Sequence, residues 1–293
     1  MVPQVIDLLE PGDGETALDL TVGTGGHSLA LAEGIGPRGL LMGIDADPDA
    51  LRRAEERLRA QAPCEFRLFP ARFSAAPEVA ARAGVERFDC IMADLGVGTH
   101  QLLDPERGLS FDSHARLDMR YDRASGPTAW DVVNEFSERD LADVFHRYGE
   151  ERYSRAIAAR ICRERPVDTP AELAELVKKV AARRTPRGRT WRIHPATRVM
   201  MALRIYVNNE LGELESLLES LPGLLADGGR AAIITYHSLE ARPVKQTWRR
   251  QVKEGLLRNL TPSPLKPTQD EVRANPHVRS AQLRAVQRTR GVQ

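Results

Sequence analysis

The run Ala17-Leu18-Asp19-Leu20-Thr21-Val22-Gly23-Thr24-Gly25-Gly26-His27-Ser28 constrains this chain more than any other stretch. An apolar strand ends in a glycine-rich turn, and a helix is predicted from Ser28 through Glu33. A second strand, Gly39 to Ile44, ends in Asp45, about twenty residues after the turn. Strand, glycine turn, helix, strand and acidic residue in that order make a nucleoside-binding βαβ unit. The glycines let backbone approach a ligand closely, and Asp45 can accept both ribose hydroxyl protons. Read as G-x-G-x-x-G, the last position is Ser28, so the dinucleotide fingerprint is incomplete. A ligand with adenosine but no pyrophosphate fits better. S-adenosylmethionine leads, NAD is disfavoured, and a tight turn closing an ordinary α/β unit is the plain structural alternative.

The alternation of strand and helix continues to about Leu102. A helix is predicted over Pro48 to Ala62, with Asp47 as N-cap and Pro48 in its first turn. Phe66 to Phe69 reads as a short strand, and Phe88 to Gly96 as a buried parallel strand carrying Asp94. Asp19, Asp45 and Asp94 therefore lie at or near the carboxyl ends of three successive strands, where open α/β sheets bind ligands. From Leu103 to Ile193 only loop and helix signals appear, with helices over Ser137 to Tyr148, Arg152 to Glu164 and Pro170 to Arg183. Strand character resumes at Arg230 to Tyr236, behind the turn Asp227-Gly228-Gly229. A helical domain inserted between two strands of one sheet accounts for this order. The tail after Leu260, proline-rich and basic, is expected to pack as extended chain over the body.

Composition narrows the classes. The 293 residues can bury a large core. Lys plus Arg is 42 against 41 for Asp plus Glu, so whole-chain charge points to no partner, but only five of the basic residues are lysine. Arginine excess fits phosphate recognition, and equally fits genomic base composition. Cys64, Cys90 and Cys162 are far apart, which argues against a disulfide framework or zinc site and suits a cytoplasmic protein. Neither a signal-peptide pattern nor a membrane-spanning apolar run is present.

Three segments carry candidate chemistry. Asp94-Leu95-Gly96-Val97 stands where amino methyltransferases face the transferred methyl, and Asp94 can accept from an exocyclic amine, hold the donor, or merely cap a turn. Arg183 to Arg192 has five arginines among ten residues with Trp191 between them, a pattern for phosphates and a splayed base in single-stranded RNA, or for a solvated loop. Tyr236-His237-Ser238-Leu239-Glu240 leaves the late strand at the same sheet edge, with His237 either catalytic or structural. His194 to Arg198 opens an amphipathic helix in which Asn208 and Asn209 are poor helix formers, hinting at a task beyond packing. There is no hydrolase nucleophile–base pair and no metal-ligand cluster.

Together these segments resemble the bacterial small-subunit (16S) ribosomal RNA cytosine-N4 methyltransferases of the MraW/RsmH type. The resemblance also runs through Gly43-Ile44-Asp45-Ala46-Asp47-Pro48, Gln101-Leu102, Arg107-Gly108-Leu109-Ser110-Phe111, Leu117-Asp118-Met119-Arg120 and Tyr148-Gly149-Glu150-Glu151. It continues in Ala202-Leu203-Arg204-Ile205, Val207-Asn208, Glu210-Leu211, Gly228-Gly229-Arg230, Asn275-Pro276 and Arg279-Ser280-Ala281. It implies an α/β fold, a Rossmann-like class I S-adenosylmethionine-dependent methyltransferase sheet with an inserted α-helical domain. The domains would be 1–103 and 194–293 for the core and 104–193 for the insert. It implies S-adenosylmethionine as donor, held by Gly25, Gly26, His27, Asp45, Phe73, Asp94 and Gln101, with Asp94 and His237 as catalytic candidates. The implied reaction is N4-methylation of a cytidine in the decoding (P-site) region of 16S ribosomal RNA. Arg184, Arg187, Arg189, Trp191 and Arg198 would contact the RNA, and the partner would be the small ribosomal subunit, with no membrane involved.

The chain departs from the family pattern in places. Met1-Val2-Pro3-Gln4 stands where the family begins His-x-Pro-Val, which removes a histidine contact or puts the true start upstream. Gly98-Thr99 replaces a serine pair, His114-Ala115-Arg116 a Gly-Pro stretch, and Ala241 an aspartate. The donor positions are intact and the changes cluster toward the acceptor side. An assembly factor that keeps the cofactor pocket without turnover is therefore the competing class. These residues do not decide between a monomer and a homodimer.

Overall fold

The computed structural model describes residues 1–184, 191 and 194–290, which form two compact units. One comprises Met1–Gly96 with Leu211–Gln293, the other Val97–Glu210. The first holds a seven-stranded sheet: β1 (Thr16–Asp19), β2 (Leu40–Asp45), β3 (Glu65–Pro70), β4 (Phe88–Asp94), β5 (Leu225–Thr235), β6 (Leu257–Asn259) and β7 (Gln282–Arg288). The order across the sheet is β3-β2-β1-β4-β5-β7-β6. β1 to β5 are parallel, and β7 lies antiparallel between β5 and β6. Alternating side chains build a core on each face, as the two-residue period of a strand requires. Leu18, Met42, Ile91 and Ala93 enter one core, while Ala17, Leu41, Cys90 and Met92 enter the other. α1 (Val2–Leu9) and α2 (Gly26–Ile35) cover the second of these faces, through Val5, Leu9, Leu31 and Ile35. α3 (Pro48–Gln61) begins as expected, with the Asp47 carboxylate accepting from the Asp49 N–H at 3.0 Å. α4 (Ala76–Arg82) follows β3 and buries Val79 and Ala80.

The second unit is helical: α5 (Thr99–Leu103), α6 (Ala129–Glu135), α7 (Glu138–Gly149), α8 (Ser154–Glu164), α9 (Pro170–Arg184) and α10 (Thr197–Asn208). Ser137 and Thr128 cap α7 and α6 by accepting from the N–H groups of Asp140 and Asp131. Apolar stripes at helical spacing meet in one core that includes Leu141, Phe145, Ile157, Ile161, Leu173 and Val177. The sequence placed this insert at 104–193, whereas the unit runs from Val97 to Glu210. The extra length has a packing cause: Val199, Ala202, Leu203 and Val207 of α10 lie in the same core, and Val97 and Leu102 pack against it.

The two asparagines have a structural task. Asn209 does not continue α10; it ends the helix with φ +52° in the left-handed region, where asparagine is tolerated. Asn208 is 4% exposed, and its amide donates to Met119 O and Arg204 O while its Oδ1 accepts from the Tyr121 N–H at 2.8 Å. Those bonds hold Met119, fully buried with φ +64°, in a conformation that costs an L-residue energy.

The chain returns to the sheet through α11 (Glu210–Leu224), whose Leu214, Leu217, Leu218 and Leu221 pack on the Leu18 face, and α12 (Ser238–Lys253) follows β5. β5 starts earlier than the sequence indicated. Phe88 pairs with Leu225 and Cys90 with Arg230, so Asp227-Gly228-Gly229 bulges within the strand instead of preceding it. The tail corrects a further expectation, since the segment after Leu260 is not simply extended chain over the surface. It forms α13 (Gln269–Ala274), and then β7 inserts into the sheet with Leu283, Ala285 and Val286 buried. Among the described residues no helix is long and apolar enough to cross a membrane.

Candidate active site

The carboxyl ends of β1, β2, β4 and β5 converge in the first unit. Gly25, the residue before α2, has φ +80°, and a Cβ there would come within 3.4 Å of Ala54. The left-handed φ is the condition that calls for glycine, while Ala54 lies in ordinary contact. Asp45 at the tip of β2 braces the turn: its Oδ2 accepts from the Gly23 N–H at 2.7 Å and its Oδ1 from the Asp47 N–H at 2.8 Å. Gly25, Gly26, His27 and Asp45 are thus brought together, and Phe73, half-buried in the turn after β3, follows two residues behind an Ala71 N–H bonded to Asp45 O.

Ser28, which breaks the dinucleotide fingerprint, is fully buried and donates its hydroxyl to Asp19 Oδ2 at 2.6 Å. Asp19 Oδ1 accepts from the Thr21 N–H. Burial pushes the Asp19 carboxyl up to about 6, against the lowering effect of these bonds. Ser28 therefore ties helix to strand at the position where a third glycine would let them close.

Asp94 ends β4. Its N–H donates to Thr21 Oγ1 at 2.6 Å, which joins the tips of β1 and β4. Its Oδ1 accepts from the Tyr236 hydroxyl at 2.9 Å. Burial pushes its carboxyl up to about 7, opposed first by the Tyr236 bond and aided by the Asp19 and Glu240 charges. His27 Nδ1 lies 3.8 Å from Asp94 Oδ2, but burial lowers the imidazole to about 4. His27 is neutral at physiological pH, so this contact is not an ion pair.

Tyr236 and Glu240 are the residues that the sequence reading did not single out. Glu240 is 3% exposed, and its Oε2 accepts from the Tyr236 N–H at 2.8 Å and the His237 N–H at 3.4 Å. This is a capping-box arrangement at the start of α12. The spacing His237-Ser238-Leu239-Glu240 carried that signal in the sequence. His237 sits at the N-cap of α12, with Nε2 3.1 Å from Glu240 Oε1.

The remaining expected site residues belong to the second unit or lie outside the described residues. Gln101 is buried, and its Oε1 accepts from the Gly98 N–H at 2.9 Å, fixing the start of α5. Arg184 ends α9 with its guanidinium carbon 5.6 Å from the Tyr153 ring centre, and Arg152 lies 4.6 Å from the same ring. Among the described residues neither guanidinium has a carboxylate ion-pair partner. Arg198 is exposed and donates to Glu150 O at 3.3 Å, and Trp191 is 41% exposed. Arg187 and Arg189 lie outside the described residues.

Comparison with known proteins bears on this geometry. The MraW methylase family pattern matches residues 1–289. A relative from Acidobacterium capsulatum named "Ribosomal RNA small subunit methyltransferase H" is 42% identical over 98% of this chain and 97% of its own. Relatives of the same name from Koribacter versatilis and a Cyanothece species are 43% and 44% identical, over 97% of this chain and 91% and 92% of theirs. The parallel sheet with one reversed strand is that of the Rossmann-like class I methyltransferases. The chain belongs to the MraW methylase family, and it is an S-adenosylmethionine-dependent methyltransferase.

Proposed function

We propose that this protein methylates the exocyclic N4 amine of a cytidine in the decoding region of small-subunit ribosomal RNA, in the cytoplasm. The observation that carries the reading is Asp94, a half-buried carboxylate at the tip of β4 bonded to Tyr236, beside the glycine turn and Asp45. The turn fits the donor on its own chemistry. Nε2 of His27 is buried with no hydrogen-bond partner among the described residues, a polar atom for a ligand to satisfy. Asp45 would accept the ribose hydroxyls, with Gly25, Gly26 and Phe73 against the nucleoside.

S-adenosylmethionine supplies a methyl group on a sulfonium, already activated for in-line displacement. The residues' work is then alignment and proton handling. The lone pair of a cytosine amine is delocalised into the ring. Ionised Asp94, accepting one amine N–H, draws electron density back onto nitrogen as the N–C bond forms and the C–S bond breaks. The methylated amine then gives up one proton, which the Asp94 carboxylate that accepts its N–H takes up. Asp94 must be ionised for this role, so activity rises with pH through about 7. His237, at the N-cap of α12, is assigned to the acceptor side. Arg184, Arg198 and Trp191, with Arg187 and Arg189, are assigned to RNA phosphates and a splayed base. Arg152 and Arg184 support this, because two cations over one tyrosine ring, with no carboxylate ion-pair partner among the described residues, favour an anionic partner.

The test is incubation with labelled S-adenosylmethionine and small subunits lacking the modification, followed by mass spectrometry of the nucleosides. N4-methylcytidine at one position is expected. Tight subunit binding without transfer would establish the assembly-factor reading instead.

A further inference from the structure

We propose that Tyr236 is a positioning residue for methyl transfer: its phenol holds Oδ1 of Asp94 and thereby keeps that carboxylate oriented as an acceptor. The proposal rests on the reading of Asp94 given above. Two constraints fix the phenol independently. From α12, the buried Glu240 carboxylate accepts from the Tyr236 backbone N–H at 2.8 Å, setting the backbone where β5 ends. From β4, the ring packs on Gly96, where a Cβ would lie 3.3 Å from Tyr236 Cδ2 and φ is +106°. Gly96, two residues after Asp94, therefore permits both the turn out of β4 and the approach of the ring. The hydroxyl that results from this placement sits 2.9 Å from Asp94 Oδ1.

Burial and the neighbouring carboxylate both raise the phenol's proton affinity, so it remains a donor throughout the working pH range. Asp94 also faces Asp19 and Glu240, which oppose its ionisation, and the amino group of Met1, which favours it. Neutral His27 stands 3.8 Å from the other oxygen. The hydrogen bond from Tyr236 is the main influence that stabilises the charged form. Without it, burial would leave Asp94 protonated over more of the physiological range.

Tyr236→Phe keeps the ring on Gly96 and removes only the hydroxyl. The Asp94 titration is followed in the full-length protein without donor by carboxyl carbon NMR, with Asp94→Asn identifying the resonance. Its midpoint should move to higher pH in Tyr236→Phe. In the methylation assay the rising limb of the pH–rate profile should move the same way, with roughly tenfold loss near pH 6.5 and much less at pH 9. Combining Tyr236→Phe with Asp94→Asn should cost no more than Asp94→Asn alone, because the tyrosine acts through the carboxylate. An unmoved Asp94 midpoint, or a loss equal at all pH values and additive with Asp94→Asn, would overturn the proposal. If the parent chain transfers no methyl group, the functional reading falls, while the carboxyl titration still decides the role of Tyr236.

Discussion

Asp94→Asn should make the protein less active and, above neutral pH, more stable. Asparagine keeps the shape of the side chain and still offers Oδ1 to the Tyr236 hydroxyl, but it cannot ionise. The Asp94 carboxyl is raised from an ordinary 3.8 to about 7 in the fold. Between those values the native state holds a proton that the unfolded chain has lost. Parental stability must therefore fall as pH rises through this window and level off above about 7. Each pH unit of the window is worth about 1.4 kcal/mol, so raising pH from 5.5 to 8 crosses about 1.5 units, or ~2 kcal/mol. The side chain keeps 28% of its surface open, so solvent makes this an upper value. Urea unfolding of both proteins at pH 5.5 and pH 8 reads the effect. The variant's advantage should grow by ~1–2 kcal/mol between the two conditions. At pH 8 its methyl-transfer rate should be at least about tenfold lower, ~1.4 kcal/mol in the barrier. A stability difference independent of pH would show that Asp94 ionises normally in the fold. An unchanged rate would remove it from the chemistry.

Four other substitutions separate the donor site, the helical unit and the RNA contacts. Asp45→Ala should weaken S-adenosylmethionine binding by at least about tenfold in calorimetry, through loss of the ribose acceptor and of the brace on Gly23; unchanged affinity would place the nucleoside elsewhere. Asn208→Ala should destabilise the helical unit by ~2–3 kcal/mol, because the Met119 carbonyl and Tyr121 N–H lose their partners, and an unfolding midpoint within error of the parent's would refute this. Arg184→Ala should weaken RNA binding and flatten its salt dependence. Trp191→Ala should weaken it by roughly 1–3 kcal/mol at an unchanged salt slope. A parental slope and affinity in both variants would make the segment solvated surface.

The sheet was legible where one local signal sufficed. Strands buried on both faces read as continuous apolar runs, and the glycine turn and Asp45 follow from backbone geometry that few other residues satisfy. β7 was missed because Gln282-Leu283-Arg284-Ala285-Val286-Gln287-Arg288 alternates weakly and sits among arginines. Its burial comes from insertion between β5 and β6, which no local pattern announces. The insert's limits shifted for a similar reason. α10 has the same amphipathic signature whichever core it joins, and only packing on Leu141 and Phe145 assigns it to the helical unit.

The site divides along the same line. Asp94, Asp45 and the glycines are recognisable because position at a strand end predicts their exposure to a ligand. Tyr236 is not, because its role depends on a residue 142 positions earlier in the chain. The run from Tyr236 to Glu240 invited attention to its histidine, a common catalytic residue. The geometry assigns the first task in that run to Glu240, whose carboxylate sets the start of α12 and the direction of the preceding tyrosine. Gly96 then acquires a reason beyond the turn it makes, since any side chain there would meet the ring of Tyr236. Glu240, Tyr236, Gly96 and Asp94 form one chain of contacts from the start of α12 to the end of β4. The ionisation of the half-buried Asp94 carboxylate at its end depends on the contacts behind it.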